Sequence, residues 1–427
     1  MRKKRYIAIL HRGVNDWNQW RKNNLDIKPD LKGINLSSRT LVGINFTGVD
    51  LTGANLIKSN FGSSNLDGAN LTGANLTGAN LTGTSLTGAD LTEADLTKAN
   101  YRSAELCNAN LSNANLDGAD LRAIDLTAAQ LSNTNLSHAN LKGAIFAGAK
   151  LTRCNFESAI LSEADFNCAN LTKARFVRAD LTGACLDRAN LTQANLDRAN
   201  LTKASIVEAN LTGADLSQAN LTKAKLSQAN FERAFLTEAN LTQACLTEAN
   251  LNNADLLTAN LRGANLTQAN LANAQAAIAN FDRSILTGAC VENLQINNQT
   301  SFNRVICRYL YLKYDRKYRI PENIERALTC EQFRLVLQNL LGSINLVFDT
   351  DINWTAFLQT FGSLQLQYKS QSIKIKSVEA LHERRFLVKI NVLPNLDIRG
   401  IRKSFWQQYH ARAIALAQDK IISQKSV

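Results

Sequence analysis

The stretch Ala69-Asn70-Leu71-Thr72-Gly73-Ala74-Asn75-Leu76-Thr77-Gly78 is one five-residue phrase written twice, and its reading decides the fold. Calling the Leu position i, an apolar centre recurs every fifth residue from Leu36 to Val291, through 52 units without an insertion or deletion. Leu fills i in 40 of the 52 units; Phe, Ile, Tyr or Val fills all but one of the rest, and Ala276 is the exception. Ala stands at i−2 in 41 units and Asn or Asp at i−1 in 36. A period of five fits neither a helix at 3.6 nor a flat strand at 2. Positions i−2 and i face one side of extended backbone, and the polar or small residues between pairs must turn the chain so that the next pair faces inward again. Repetition winds a solenoid with a filled interior, whose stacked coils pair as short parallel strands about 4.8 Å apart. The interior is narrow, so a large residue at i needs a small one at i−2.

The A-[N/D]-L-x-x phrase resembles the pentapeptide-repeat family. That resemblance implies an all-β solenoid, a right-handed quadrilateral β-helix with four units per coil; the spacing alone does not fix the number of sides. Four units per coil turn the 52 repeats into about 13 coils, a rod roughly 60 Å long. Residues 20 apart are then expected to stack, with Phe146 on Phe166 and Phe156 on Phe176 as internal aromatic columns. Cys154 takes the place of an inward Ala, and Leu191 is a representative buried centre.

Three domains are expected. Residues 1–30 form a basic N-terminal cap, with a helix over 5–24 anchored by Ile9, Trp17 and Trp20, because a solenoid leaves its last strands unpaired. Residues 31–312 form the β-helix. Its register slips by one residue after Ile296, and Phe302, Cys307 and Leu312 continue the rhythm. Residues 313–427 form a small α+β domain: a connector over 314–323, helical spacing over 330–341 and 354–361, strands over 364–368, 373–376 and 385–392 (the last two antiparallel), and a long helix over 401–422. The layout is similar to that of larger pentapeptide-repeat proteins common in cyanobacteria.

The net charge of +12 is uneven. Residues 1–30 carry 8 basic and 3 acidic side chains, residues 31–300 carry 20 and 23, and residues 301–427 carry 20 and 10. No run of apolar residues is long enough to span a bilayer, and the apolar stretch after the basic start is too short for a signal peptide, so a cytoplasmic protein with free thiols is expected. The four His are scattered, without an HExxH pair, and no P-loop or GxGxxG is present. His138 is read as a solvated outward residue. No catalytic, metal or cofactor site is expected, and the chain is read as a non-enzyme.

What the rod offers is a surface written in columns. Ile145, Ile160, Phe235 and Ile285 at i−1 and Leu257 at i+1 are apolar in outward slots. Arg178 and Arg198 share one column, Lys203 and Lys223 another. The reading is a non-enzymatic scaffold or protein-binding protein with an unidentified protein partner. Two alternatives stand beside it. Some family members imitate duplex DNA and bind gyrase, which needs an acidic rod, and this one is near neutral. The basic C-terminal domain also offers nucleic-acid binding through Arg399, Arg402, Lys403 and Arg412 with Trp406 and Tyr409. The preferred reading of that helix packs Phe405, Trp406 and Tyr409 on the sheet.

Overall fold

The computed structural model describes residues 2–297, 299–313, 318–329, 331–333, 336–337, 343–348, 352–368, 373–380, 386–392 and 398–424. The unit around Leu71 shows how the phrase folds. The Ala74 N–H donates to the Leu71 carbonyl at 2.9 Å, closing a four-residue turn. The second central residue of that turn, Gly73, has φ 62°, as a type II turn requires. All 52 residues at i+2 share a positive φ, yet only 15 of them are Gly. Each of the others holds an L side chain in left-handed backbone against about 1–2 kcal/mol of steric preference. The ladder overrides that preference. The Leu71 N–H donates to Asp90, Asn70 to Val49 and Gly73 to Thr92, at 2.6, 2.9 and 2.8 Å, so each unit is tied to both neighbouring coils.

The Asn or Asp at i−1 locks the turn from its side chain. Asn70 Oδ1 accepts the Thr72 N–H at 3.0 Å and the Thr72 hydroxyl at 2.7 Å. This is the reason Asn/Asp at i−1 and Thr/Ser at i+1 travel together. At Asp95, burial alone favours the neutral acid, but hydrogen bonds from Thr97 and Thr77 outweigh it and hold the carboxyl below its usual range.

Parallel bridges join residues 20 apart from Asp30↔Asp50 through Gln275↔Gln295. Four units therefore complete one coil. The next bridges, Asn280↔Ser301, Ile285↔Ile306 and Cys290↔Tyr311, are 21 apart, which places the one-residue slip where the sequence rhythm breaks. Leu at i and Ala at i−2 are buried along the whole rod. Phe146 stacks on Phe166 and Phe156 on Phe176, each at 4.7 Å and within 4° of parallel. The two columns meet edge to face, with Phe146 and Phe156 5.9 Å apart. Several inward polar exceptions bond to backbone: the Thr84 hydroxyl donates to the Phe61 carbonyl at 2.8 Å and the Cys154 thiol to the Leu131 carbonyl at 2.6 Å, whereas the buried Ser284 hydroxyl has no partner among the described residues. Tyr101 is a second such case. It fills an inward site with its hydroxyl buried, and no described residue bonds to it. Tyr101→Phe removes that unpaired group and is expected to stabilise the protein by about 1 kcal/mol, read as a higher midpoint in urea. A lower midpoint would show that the hydroxyl has a partner.

The N-terminal cap is two helices, α1 (Arg2–His11) and α2 (Val14–Lys22), rather than the single helix expected over 5–24. Gly13, at φ 119°, makes the break. Trp17 is fully buried, edge-on to Phe46 at 5.4 Å. Side chains of α2 stand in for the missing coil. Trp17 Nε1 donates to the Asn45 carbonyl at 2.8 Å and Arg21 Nη2 to the Thr47 carbonyl at 2.7 Å, while Asn18 Oδ1 accepts the Asn45 N–H at 2.8 Å. On this side of the first coil, groups that an open ladder edge leaves bare are thereby satisfied.

Past the slip, β1 (Leu310–Tyr311) pairs antiparallel with β2 (Arg319–Ile320). Leu328 and Val336 join the solenoid core. The segment expected to be helical over 330–341 is helical at 331–333 and 336–337; the rest of it lies outside the described residues. A second core contains β3 (Ser343–Phe348), α3 (Trp354–Gln367), β4 (Ile373–Ala380), β5 (Phe386–Val392) and α4 (Ile398–Gln424). The sheet order is β3-β5-β4 and both pairings are antiparallel. The strand expected over 364–368 is instead the last turn of α3. Leu364 is buried and Leu366 is 85% exposed, whereas a strand would turn both to one side. Strand β3 went unread, although Ile344, Leu346 and Phe348 alternate and are all buried.

Candidate interaction surface

The square coil gives four outward faces, numbered here by their ladder residues: the first through Asn70, the second through Asn75, the third through Asn80 and the fourth through Ser85. Each face owns its ladder residue and the two turn residues that follow it. The structure places Phe235, Leu257, Ile145 and Ile160 outward, with Phe235 the most open at 51%. Ile285 is only half-buried in its column, where it bridges Ile306. Its slot is outward, as read from the sequence, and the next coil, 21 residues on, sets another isoleucine beside it.

Phe235 and Leu257 share the second face, in adjacent coils. The next coil adds Ile278, which is 43% exposed and which the sequence reading missed. The three descend in order through the ladder, first-turn and second-turn slots, forming a diagonal apolar stripe. Ile278 is β-branched at φ 63°, an outlier for that residue type, and its N–H donates to Asn297 Oδ1 at 3.1 Å. An apolar β-branched residue in the i+2 slot was the signal available in the sequence. Ile145 lies on the fourth face and Ile160 on the third, apart from the stripe.

Arg178 and Arg198 stand in the turn column of the second face. Arg198 Nε donates to Gln218 Oε1 at 2.8 Å, and Gln218 Nε2 donates to Glu238 Oε2 at 3.0 Å, a polar ladder running up beside Phe235. Lys203 and Lys223 occupy the equivalent column of the third face. His138 is exposed but bonded, Nδ1 to Asp117 Oδ1 at 2.8 Å. That contact, with the Ser137 hydroxyl, holds the Asp117 carboxyl below its ordinary range.

The near-neutral total hides a division by face. Between residues 30 and 311 the third face carries eight basic side chains against four acidic, and the fourth carries three against seven. In the second core, Phe405 and Tyr409 are buried and Trp406 packs on Phe348 at 4.9 Å. The Tyr409 hydroxyl accepts the Asn353 N–H at 3.0 Å, and Arg412 Nη2 donates to Ser363 Oγ at 2.8 Å. Arg402 and Lys403 are exposed. The side chain of Arg399 lies outside the described residues. Cys107, Cys154, Cys168, Cys185, Cys245 and Cys307 are free thiols. Among the described residues, no group of His, Cys, Asp and Glu is arranged to hold a metal ion, and no helix is long and apolar enough to cross a membrane.

Eight consecutive copies of the pentapeptide-repeat family model match, the first over residues 30–68 and the last over 259–293. The chain belongs to the pentapeptide-repeat family, whose fold is the right-handed quadrilateral β-helix. Among solved structures it is similar to HetL, a pentapeptide repeat protein involved in heterocyst differentiation regulation in the cyanobacterium Nostoc sp. strain PCC 7120. The identity is 30%, over 64% of this chain and 95% of HetL, with a TM-score of 0.26. QnrB1, a plasmid-mediated fluoroquinolone resistance protein, is 20% identical over 45% of this chain and 85% of its own, with a TM-score of 0.32. Rfr23 from the cyanobacterium Cyanothece 51142 is 27% identical over 30% of this chain and 91% of its own, with a TM-score of 0.16. No curated protein sequence matches the chain.

Proposed function

We propose that the chain is a non-enzymatic, cytoplasmic interaction protein in which a rod of about 13 coils, roughly 60 Å long, presents a binding face to a protein partner. The observation that carries this reading is the stripe Phe235–Leu257–Ile278 on the second face. Three large apolar side chains in successive coils are exposed where most units carry polar residues, and one of them holds a strained backbone. The left-handed backbone of Ile278 is that of every residue in its slot; what sets it apart is a large apolar side chain where most units carry Gly or a polar residue. Aromatic and aliphatic anchors set beside a polar ladder are the usual makings of an interface core and rim.

The test separates binding from folding. Ile278→Gly relieves the backbone and is expected to stabilise the rod by about 1 kcal/mol. The same substitution is expected to weaken capture of a lysate protein that wild type retains. Phe235→Asp is expected to abolish that capture while leaving the circular dichroism spectrum unchanged, and Ile160→Asp on the third face leaves capture intact. Equal capture by wild type and Phe235→Asp would remove the stripe from the account.

A further inference from the structure

We propose a binding site for a phosphate dianion, free or carried as a monoester, at the C-terminal end of the third face. A depression of about 280 Å³ there is lined by Arg262, Asn280, Asp282, Arg283, Asn303 and Arg304. The three arginines come from three successive coils. Arg262 is the first turn residue after Leu261, Arg283 the second after Phe281, and Arg304 the second of the coil beyond the slip. Arg283 and Arg304 are therefore direct neighbours in one column, and their coils are joined by the Arg283 N–H donating to the Asn303 carbonyl at 2.8 Å. Like charges facing each other across a ladder destabilise it. Elsewhere on the rod several cations stand against carboxylates, as with Arg188 and Glu208, or Arg175 and Glu157, each pair at 2.9 Å.

Asp282, which the charge of Arg262 also helps to keep ionised, offsets only one of the three positive charges. Its carboxylate accepts hydrogen bonds from the Ser301 hydroxyl and from the Asn303 N–H, the latter at 2.8 Å. Burial alone would favour its neutral form, but these bonds keep it ionised. Three guanidinium groups less one carboxylate leave two positive charges, which a phosphate monoester dianion balances. Guanidinium forks match phosphate oxygens in pairs, and the side-chain amide of Asn280 can donate to the rest, while that of Asn303 donates to Ser301 Oγ at 2.8 Å and braces the wall. The site lies on a different face from the apolar stripe and is independent of it.

The experiment is titration calorimetry of the full chain at low ionic strength with inorganic phosphate, a phosphoserine peptide and a thymidine oligonucleotide. Inorganic phosphate and the phosphoserine peptide are expected to bind. Arg283→Gln and Arg304→Gln are each expected to weaken binding about ten- to hundredfold, while Arg178→Gln on the second face changes nothing. Arg283→Lys, which keeps charge and fold but loses the fork, is expected to fall between. Tighter binding of the peptide than of inorganic phosphate would assign the site to a phosphorylated side chain; equal binding would assign it to the free ion. Absence of binding by both inorganic phosphate and the phosphoserine peptide, affinity unchanged in Arg283→Gln, or tighter binding of the oligonucleotide than of either would overturn the proposal.

Discussion

Leu191→Asp is expected to unfold the middle of the rod. Leu191 is 1% exposed, and the residue beside it at i−2, Ala189, is equally buried. Its N–H is fixed to the Asn210 carbonyl at 2.7 Å, so the side chain cannot swing out without breaking the ladder. A carboxylate there meets only apolar walls. The loss combines a Leu-sized transfer and packing term of about 2–5 kcal/mol with several more for an unpaired charge. A marginally stable protein does not survive that sum. The expected readout is loss of the β-sheet signal and of soluble expression. Leu191→Met, which nearly conserves volume, is expected to stay within about 1.5 kcal/mol of wild type. A Leu191→Asp protein that melted with wild type would place position i on the outside and undo the solenoid.

The second large effect is at the cap. Trp17→Ala removes a fully buried ring from between Trp20 and Phe46 and deprives the Asn45 carbonyl of its donor. About 3–5 kcal/mol is expected from the cavity alone. In a solenoid each coil contacts only its neighbours, so the damage stays near the end where it is made. Amide exchange in the coils containing Phe46 and Phe61 is expected to speed up by about a hundredfold or more, since 1.4 kcal/mol is a factor of ten. Exchange around Leu191 is expected to hold. The uncapped edge also exposes unpaired backbone, so association should rise with protein concentration. Uniform loss of protection along the rod would instead mean that the coils fold as one inseparable unit.

The rod was legible in the sequence because its physics repeats. The Leu/Ala pairing, the stacked Phe columns and the slip after Ile296 all follow from one phase, and an error at one unit would have shown at the next. The four-sidedness came from family resemblance, because a period of five does not state how many turns close a coil. Where the repeat stops, local cues compete. The alternation in 364–368 imitates a strand, but Phe357, Phe361 and Leu364 carry a helical stripe through it, and Asn353 Oδ1 caps the helix by accepting the Ala356 N–H at 3.1 Å. Gly13 was a readable break between two short helices, hidden by apolar spacing that runs through it.

The surface was only partly legible. Phe235 and Leu257 stood out as apolar residues in polar slots, but their partner Ile278 sits in a third slot, and the diagonal appears only when coils are laid on one another. The arginine depression was hidden for a related reason. Its members are separated by 21 residues, once by a change of slot and once by the slip. Column reading at a fixed interval of 20 therefore passes over them.

The four faces, and the apolar stripe with them, depend on residues 20 apart being neighbours in adjacent coils, about 4.8 Å apart along the rod. That spacing is within reach of a disulfide. Cysteines placed at Arg198 and Gln218, with the exposed Cys168 changed to Ser, are predicted to crosslink under mild oxidation in the folded protein. Cysteines at Arg198 and Arg188, half a coil apart, are predicted not to. Crosslinking of the half-coil pair, or failure of the 20-residue pair, would contradict the four-unit coil and the faces drawn from it.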